Sequence, residues 1–241
     1  MRQTETRGCA AVSWLKSPKH PYEDRYRLLT SDIALVSRAH RGELFGVFDG
    51  IGSAPMGMAA AQAMADSLAD FFRHGDLYAT EWQGLYRLLQ QTNVAIFRWG
   101  FIEGTDRPLG GCAGTVAWLR EKQLSLFHAG DTVCMLIKEG QEPRQLTRLH
   151  EIHGDIYRYF GLGKTLEIEV QSCSVEEGDL ILLMSDGVTK AYSTTEAANL
   201  VMDVYSKTGD IAAAVEELVT RSRGRKSNDD ITALVIEIAE E

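Results

Sequence analysis

Apolar residues fall along this chain in two patterns: short unbroken runs bounded by Gly, Asp or Ser, and longer stretches with helical spacing. Residues 44–48, 115–119, 124–127, 133–137, 180–184 and 231–238 are runs of the first kind. Their length, and their content of Val, Ile, Leu and Phe, predict strands in a sheet covered on one or both faces. Residues 9–15, 26–30, 33–37, 167–173 and a short 144–146 segment read as further strands. Two stretches of the second kind follow the fourth strand. From Pro55 to about His74, Met64, Leu68 and Phe71/Phe72 recur at helical spacing, with Gly75-Asp76 as a stop. From Glu81 to about Phe101, Trp82, Leu85, Leu88/Leu89, Ile96 and Trp99 share one broad face. Two more helices are predicted over 194–205, with Ser193 or Thr194 as N-cap, and over 211–223.

Helices are therefore inserted between groups of strands and do not alternate with them one for one. That order predicts an α+β fold, with two antiparallel β-sheets packed as a central sandwich and helices on both sides (αββα), and disfavours a doubly wound parallel sheet. A chain of 241 residues suits one good core, so 1–241 reads as a single domain. No internal repeat or linker interrupts it.

Charge narrows the partners. The formal net charge of −9 argues against a nucleic-acid backbone as ligand. No apolar stretch approaches the roughly 20 residues that span a bilayer. Residues 1–7 lack the apolar centre of a signal peptide, and a cytoplasmic location is expected. Cys9, Cys112, Cys134 and Cys173 show no CxxC spacing and read as reduced, structural thiols. The six histidines show no metalloenzyme spacing and read as surface or structural.

Four aspartates stand at strand mouths. Asp49, Asp131 and Asp186 follow apolar runs, and Asp229 precedes the last one. In an antiparallel sheet the end of one strand and the start of its neighbour share an edge, so all four are expected to gather at one rim. Their mutual repulsion there would be relieved by hard divalent cations with oxygen ligands, Mn²⁺ or Mg²⁺ and not Zn²⁺. Each has a plainer reading: Asp49 and Asp186 as helix caps, Asp131 as turn chemistry, Asp229 as a loop residue. Recurrence, with no competing His or Cys cluster, favours the metal. Phosphate-cradle readings of the Asp49 loop fail on spacing. A Walker A match from Gly52 to Gly57 meets Met58 where Lys is needed, and a dinucleotide fingerprint meets Pro55 where Gly is needed. The cations Arg221, Arg223, Arg225 and Lys226 fall at a helix C-terminus, where solvated residues favour the dipole; docking of a phosphoprotein is the other reading.

Tyr22-Glu23-Asp24-Arg25, Phe45-Gly46-Val47-Phe48-Asp49-Gly50, Gly114-Thr115, Ala129-Gly130-Asp131-Thr132, Gln145-Leu146-Thr147, Gly178-Asp179-Leu180 with Ser185-Asp186-Gly187, and Asp229-Asp230-Ile231-Thr232 occur in that order. Together they resemble the metal-dependent protein phosphatases, the PPM or type 2C serine/threonine family, in a compact bacterial-type form, over nearly the whole chain. The resemblance implies hydrolysis of phosphoserine and phosphothreonine in proteins at a binuclear Mn²⁺ or Mg²⁺ site. Asp49 would bridge two ions, the Gly50 carbonyl would bind one, and Asp186 and Asp229 the other. Glu23 and Asp24 would hold water in the outer coordination sphere, and Asp131 with Asp186 would form a third ion site. Lys19 would take the place of the family's phosphate-gripping Arg. A phosphoprotein substrate, and a cognate serine/threonine kinase or its targets, would be the partners of a monomer.

Four departures accompany the resemblance. Lys19 offers a point charge where the family has a planar fork. Ile51 stands where some members have His. The flap around 148–160 is short. Asp230 replaces the usual Asn and adds a charge beside the metal. The rival reading is a non-catalytic, phosphatase-like binding or sensor module, against which the retained Asp49, Asp131, Asp186 and Asp229 argue.

Overall fold

A computed structural model describes residues 2–239. In chain order its elements are β1 (Gln3–Arg7), β2 (Ala10–Leu15), β3 (Arg25–Leu29), α1 (Ala34–Ala39), β4 (Glu43–Gly50), α2 (Gly57–Ser67), α3 (Asp70–Arg73) and α4 (Trp82–Phe97). Then come β5 (Cys112–Arg120), β6 (Gln123–Ala129), β7 (Val133–Ile137), β8 (Arg144–Gln145), β9 (Glu151–Ile152), β10 (Asp155–Ile156), β11 (Glu169–Ser174) and β12 (Leu180–Met184). The chain closes with α5 (Asp186–Thr189), α6 (Thr194–Thr208), α7 (Ile211–Gly224) and β13 (Ile231–Glu237).

Among the described residues two large sheets form, one in the order β1-β2-β13-β12-β7-β8 and the other β11-β6-β5-β4-β3, beside the two-stranded β9–β10 hairpin; every pairing is antiparallel. They stack face to face, and the period-2 alternation of each strand divides its side chains between two cores. Phe45 and Val47 point inward with Val12, Leu126, Leu136, Ile181 and Leu234 to fill the space between the sheets. Leu44 and Phe48 point outward, where α2, α3 and α4 cover them with Met64, Leu68, Phe71 and Leu85. On the far side Met135, Leu182, Met184 and Val235 are covered by Val201, Val215 and Leu218 from α6 and α7. Burial on both faces is why these strands read as unbroken apolar runs. The expected αββα sandwich is the observed fold.

One predicted strand is a helix. Residues 33–37 form the start of α1, with Ser37 N–H donating to the Ile33 carbonyl at 3.0 Å and His40 closing the turn in the left-handed region at φ 51. Of the residues of α1 only Val36 is buried. A five-residue apolar run carries too little period to separate strand from helix, and here the local turn at Thr30 to Ile33 decides. The long helix expected from Pro55 breaks into α2 and α3 around Leu68, where Ala69 N–H reaches back three residues to Asp66. Ser193 is the N-cap of α6, in a reciprocal capping box with Glu196. All four cysteines are free.

Candidate active site

The four aspartates picked out by the sequence come together at one rim of the sandwich. Asp49 is the penultimate residue of β4 and Asp186 follows β12 as the first residue of α5; Asp229 precedes β13. Asp131 lies in the turn of Gly130 to Thr132 that carries the chain from β6 in one sheet to β7 in the other. Asp49, Asp131, Asp186 and Asp229 line a cavity of about 510 Å³ together with Glu23, Asp230, His20 and Lys190. The hairpin of β9 and β10 forms one wall through Gly154, Asp155 and Ile156, and Ile51 and Tyr159 contribute others. The short segment at 148–160 is therefore a built hairpin bordering the site. A larger cavity, about 870 Å³, opens at the other end of β4, around Glu43. Glu43 there is already bonded to the Ser31 N–H and the Cys9 thiol, and none of the rim aspartates reaches it.

Close backbone approach brings the aspartates together. A Cβ on Gly187 would stand 1.8 Å from the Asp230 carbonyl oxygen, so α5 begins flush against the start of β13 and Asp186 faces Asp229. A Cβ on Gly50 would meet the Gly57 carbonyl carbon at 2.7 Å, which seats the end of β4 on the first turn of α2. Arg223, one of the four cations near the end of α7, donates to the carbonyls of Asp229 (2.8 Å), Lys16 (2.9 Å) and Ser227. Arg225 lies over the Tyr192 ring at 3.9 Å, and Arg221 pairs with Glu217 at 2.7 Å. Arg223 thus braces the Asp229 loop.

Beneath the rim, Asp24 is fully buried. One of its oxygens accepts from the hydroxyls of Ser185 (2.8 Å) and Thr232 (2.6 Å), while Oδ1 has no partner. Asp131 also keeps a buried, unpartnered Oδ1. Burial pushes the Asp24 carboxyl up to about 7, helped by the charges of Asp230 and Asp186 and opposed by the two hydroxyl bonds. Burial, then the charge of Asp186, pushes Asp131 to about 7 as well. Asp49 is raised well above the carboxylate range, first by burial and then by Asp24, Asp186, Asp131 and Asp229. These carboxylates are held against their mutual repulsion, which is the electrostatic signature of a cation site.

A cation already reaches them. Lys190, one turn after Asp186 on the same side of α5, places Nζ 2.5 Å from Asp186 Oδ2 and 2.5 Å from Asp229 Oδ2. Burial would raise Asp229, but the Lys190 bond and charge outweigh it and hold that carboxyl below its usual value. His20 approaches from the other side, with Nε2 3.5 Å from Asp229 and Nδ1 3.7 Å from Glu23 and 3.8 Å from Asp230. Among the described residues no three His, Cys, Asp or Glu side chains converge on one ion position as placed. The oxygen donors suit a hard divalent ion in chemistry, and the two orphan oxygens point to a missing partner. Asp186 and Asp229 are spaced around an ammonium.

Lys19 lies apart from this cluster. It is exposed and does not line the cavity, where its neighbour His20 does. Asp230 is engaged by the backbone. Its carboxylate is 3 % exposed and accepts the backbone N–H groups of Ser17 and Glu23, both at 2.6 Å, so it anchors the segment carrying His20, Glu23 and Asp24. Sequence reading missed His20 and Lys190. The second had a signal: Asp186 and Lys190 are four residues apart at a helix start. The stacked His128 and His150 rings, 4.8 Å apart, support the Asp131 turn. His150 Nδ1 accepts the Gly130 N–H at 3.1 Å, and the His150 N–H returns to the Gly130 carbonyl at 2.8 Å.

The family model described as Stage II sporulation protein E (SpoIIE) matches residues 49–239. The chain is 29% identical over 123 residues to the Stage II sporulation protein E of Bacillus subtilis (strain 168), a match covering 48% of this chain and 15% of that protein. The chain thus spans only a small part of that relative. It is 24% identical over 250 aligned positions to Probable protein phosphatase 2C 58 of Arabidopsis thaliana, covering 90% of this chain and 83% of the relative. Among solved structures, the catalytic domain of the serine/threonine protein phosphatase PstP, in complex with 2 manganese ions, superposes with a TM-score of 0.74 at 19% identity, covering 100% of both chains. At that identity the likeness is one of fold.

Proposed function

The chain belongs to the Stage II sporulation protein E (SpoIIE) family, as a PPM-type member, and from that membership we propose that it is a metal-dependent phosphatase of phosphoserine and phosphothreonine in proteins. The observation that carries the reading is the gathering of Asp49, Asp131, Asp186 and Asp229 around one cavity, with burial and mutual charge raising three of the four. Asp49 and the Gly50 carbonyl, with Asp186 and Asp229, are the residues that would hold two Mn²⁺ or Mg²⁺ ions, and Asp131 with Asp186 a third. Bound there, such ions supply neutralisation of phosphoryl charge and acidify water at neutral pH.

The chain's own groups do the positioning. Ser185 and Thr232 orient Asp24 beneath the rim, and Asp230 fixes Glu23 at its edge. The β9–β10 hairpin, Ile51 and Tyr159 line the sides of the cavity in which a phosphoprotein would be met. Partners in this reading are phosphoproteins of a serine/threonine kinase pathway, met by a monomer in the cytoplasm. Among the described residues no helix is long and apolar enough to cross a membrane.

Hydrolysis of p-nitrophenyl phosphate and of a phosphothreonine peptide, measured in parallel with EDTA, Mg²⁺ and Mn²⁺, tests the proposal. Turnover only with metal is expected. No turnover under any condition would favour a non-catalytic binding module, the reading that the ammonium between Asp186 and Asp229 supports.

A further inference from the structure

Lys190 binds the same two carboxylate oxygens that a divalent ion at Asp186 and Asp229 would need. Both contacts are at 2.5 Å. The Lys190 side chain is about half exposed, so its stem has a way out to solvent. An ammonium carries one charge on a flexible four-carbon chain, whereas a divalent ion brings two charges and demands several oxygens. The two cannot share the pair. Among the described residues no cation bonds Asp49 or Asp131, and Asp131 keeps one buried oxygen without a partner.

We infer that Lys190 is a tethered competitor cation. It holds Asp186 and Asp229 together in the metal-free protein and must swing out before a divalent ion takes them, so this ion position fills only at a higher metal concentration than the position at Asp49. The inference rests on the metal-dependent reading above and adds a threshold to it: the chain answers to divalent-ion level through one side chain of its own. The His20 imidazole, which meets Asp229 from the opposite side, does not bridge the pair and leaves Lys190 as the competing group.

Calorimetry with Mn²⁺ alone, on the metal-stripped full chain, tests this without any turnover readout. Wild type is expected to show one tighter and one weaker class of site. In Lys190→Met the weaker class should tighten at least about tenfold, the effect of removing one cation in contact with a carboxylate. The melting temperature in EDTA should fall in the same variant, while Lys190→Arg keeps the wild-type pattern. If the Met variant does not fold without metal, Lys190→Gln, which keeps hydrogen bonding but not charge, carries the same expectation. Equal Mn²⁺ affinity in wild type and both neutral variants, with uptake still lost in Asp49→Asn, would overturn the role of Lys190 and leave the metal site standing. No Mn²⁺ uptake by any of them would overturn both.

Discussion

The Asp230 carboxylate accepts the backbone N–H of Glu23 at 2.6 Å, joining two residues 207 positions apart in the chain. Its other oxygen takes the N–H of Ser17 at the same distance, so one buried side chain holds the whole segment that delivers His20, Glu23 and Asp24 to the rim. Asn at this position offers one acceptor and turns an amide donor toward the second N–H. Asp230→Asn is expected to lose roughly 1–3 kcal/mol of stability, the usual cost of a buried donor left unmet. Chemical denaturation of the metal-free protein would measure it; an unchanged midpoint would show that the segment is held by other contacts.

Asp49 is raised well above the carboxylate range, first by burial and then by its acidic neighbours, and it stands at the centre of the proposed site. In Asp49→Asn, turnover of p-nitrophenyl phosphate should fall by at least about a hundredfold, as an electrostatic centre of the reaction is lost. Metal-free stability at neutral pH should stay level or rise, because a repelling group has been neutralised. Near-wild-type turnover would sink the assignment of Asp49.

Asp131 gives a pH dependence with a definite sign. Its folded carboxyl is raised to about 7 and its unfolded one titrates near 3.9. Between those values the native state binds a proton that the unfolded state has released, so stability falls as pH rises from about 4 to about 7 and then levels. Asp131→Asn removes that slope. In EDTA the variant should match wild type near pH 4 and exceed it increasingly up to pH 7, by an upper limit of roughly 4 kcal/mol. A constant difference across this range would contradict the burial argument.

Lys19 separates two placements of the substrate. The family resemblance puts it on the phosphate, where Lys19→Ala raises KM. The structure leaves it exposed and outside the cavity lining, with His20 inside. Surface charges away from a binding site contribute little, and Lys19→Ala is expected to change KM for p-nitrophenyl phosphate by less than about twofold. A several-fold rise, with kcat and Mn²⁺ affinity unchanged, would return Lys19 to the phosphate.

Much of the molecule was legible in the sequence because its signals are local. Strands buried on both faces must be unbroken apolar runs, and amphipathic helices must repeat near 3.6, so the sandwich and its two helical layers follow from patterning. Asp49, Asp131, Asp186 and Asp229 were legible for a related reason: each sits where a run meets a turn, and antiparallel pairing sends such ends to a common rim. Residues 33–37 were misread because so short a run has no period of its own, and a turn at its start made it helical. The β9–β10 hairpin was missed because two-residue strands carry no pattern. Only tertiary structure could decide what meets the aspartates. That Lys190 bridges Asp186 and Asp229, that His20 enters where Lys19 does not, and that Asp230 is occupied by two backbone donors all depend on contacts between segments up to some 200 residues apart. Those contacts are set by how closely glycine backbones such as Gly187 let the elements approach, and no local pattern of hydrophobic and polar residues encodes that distance.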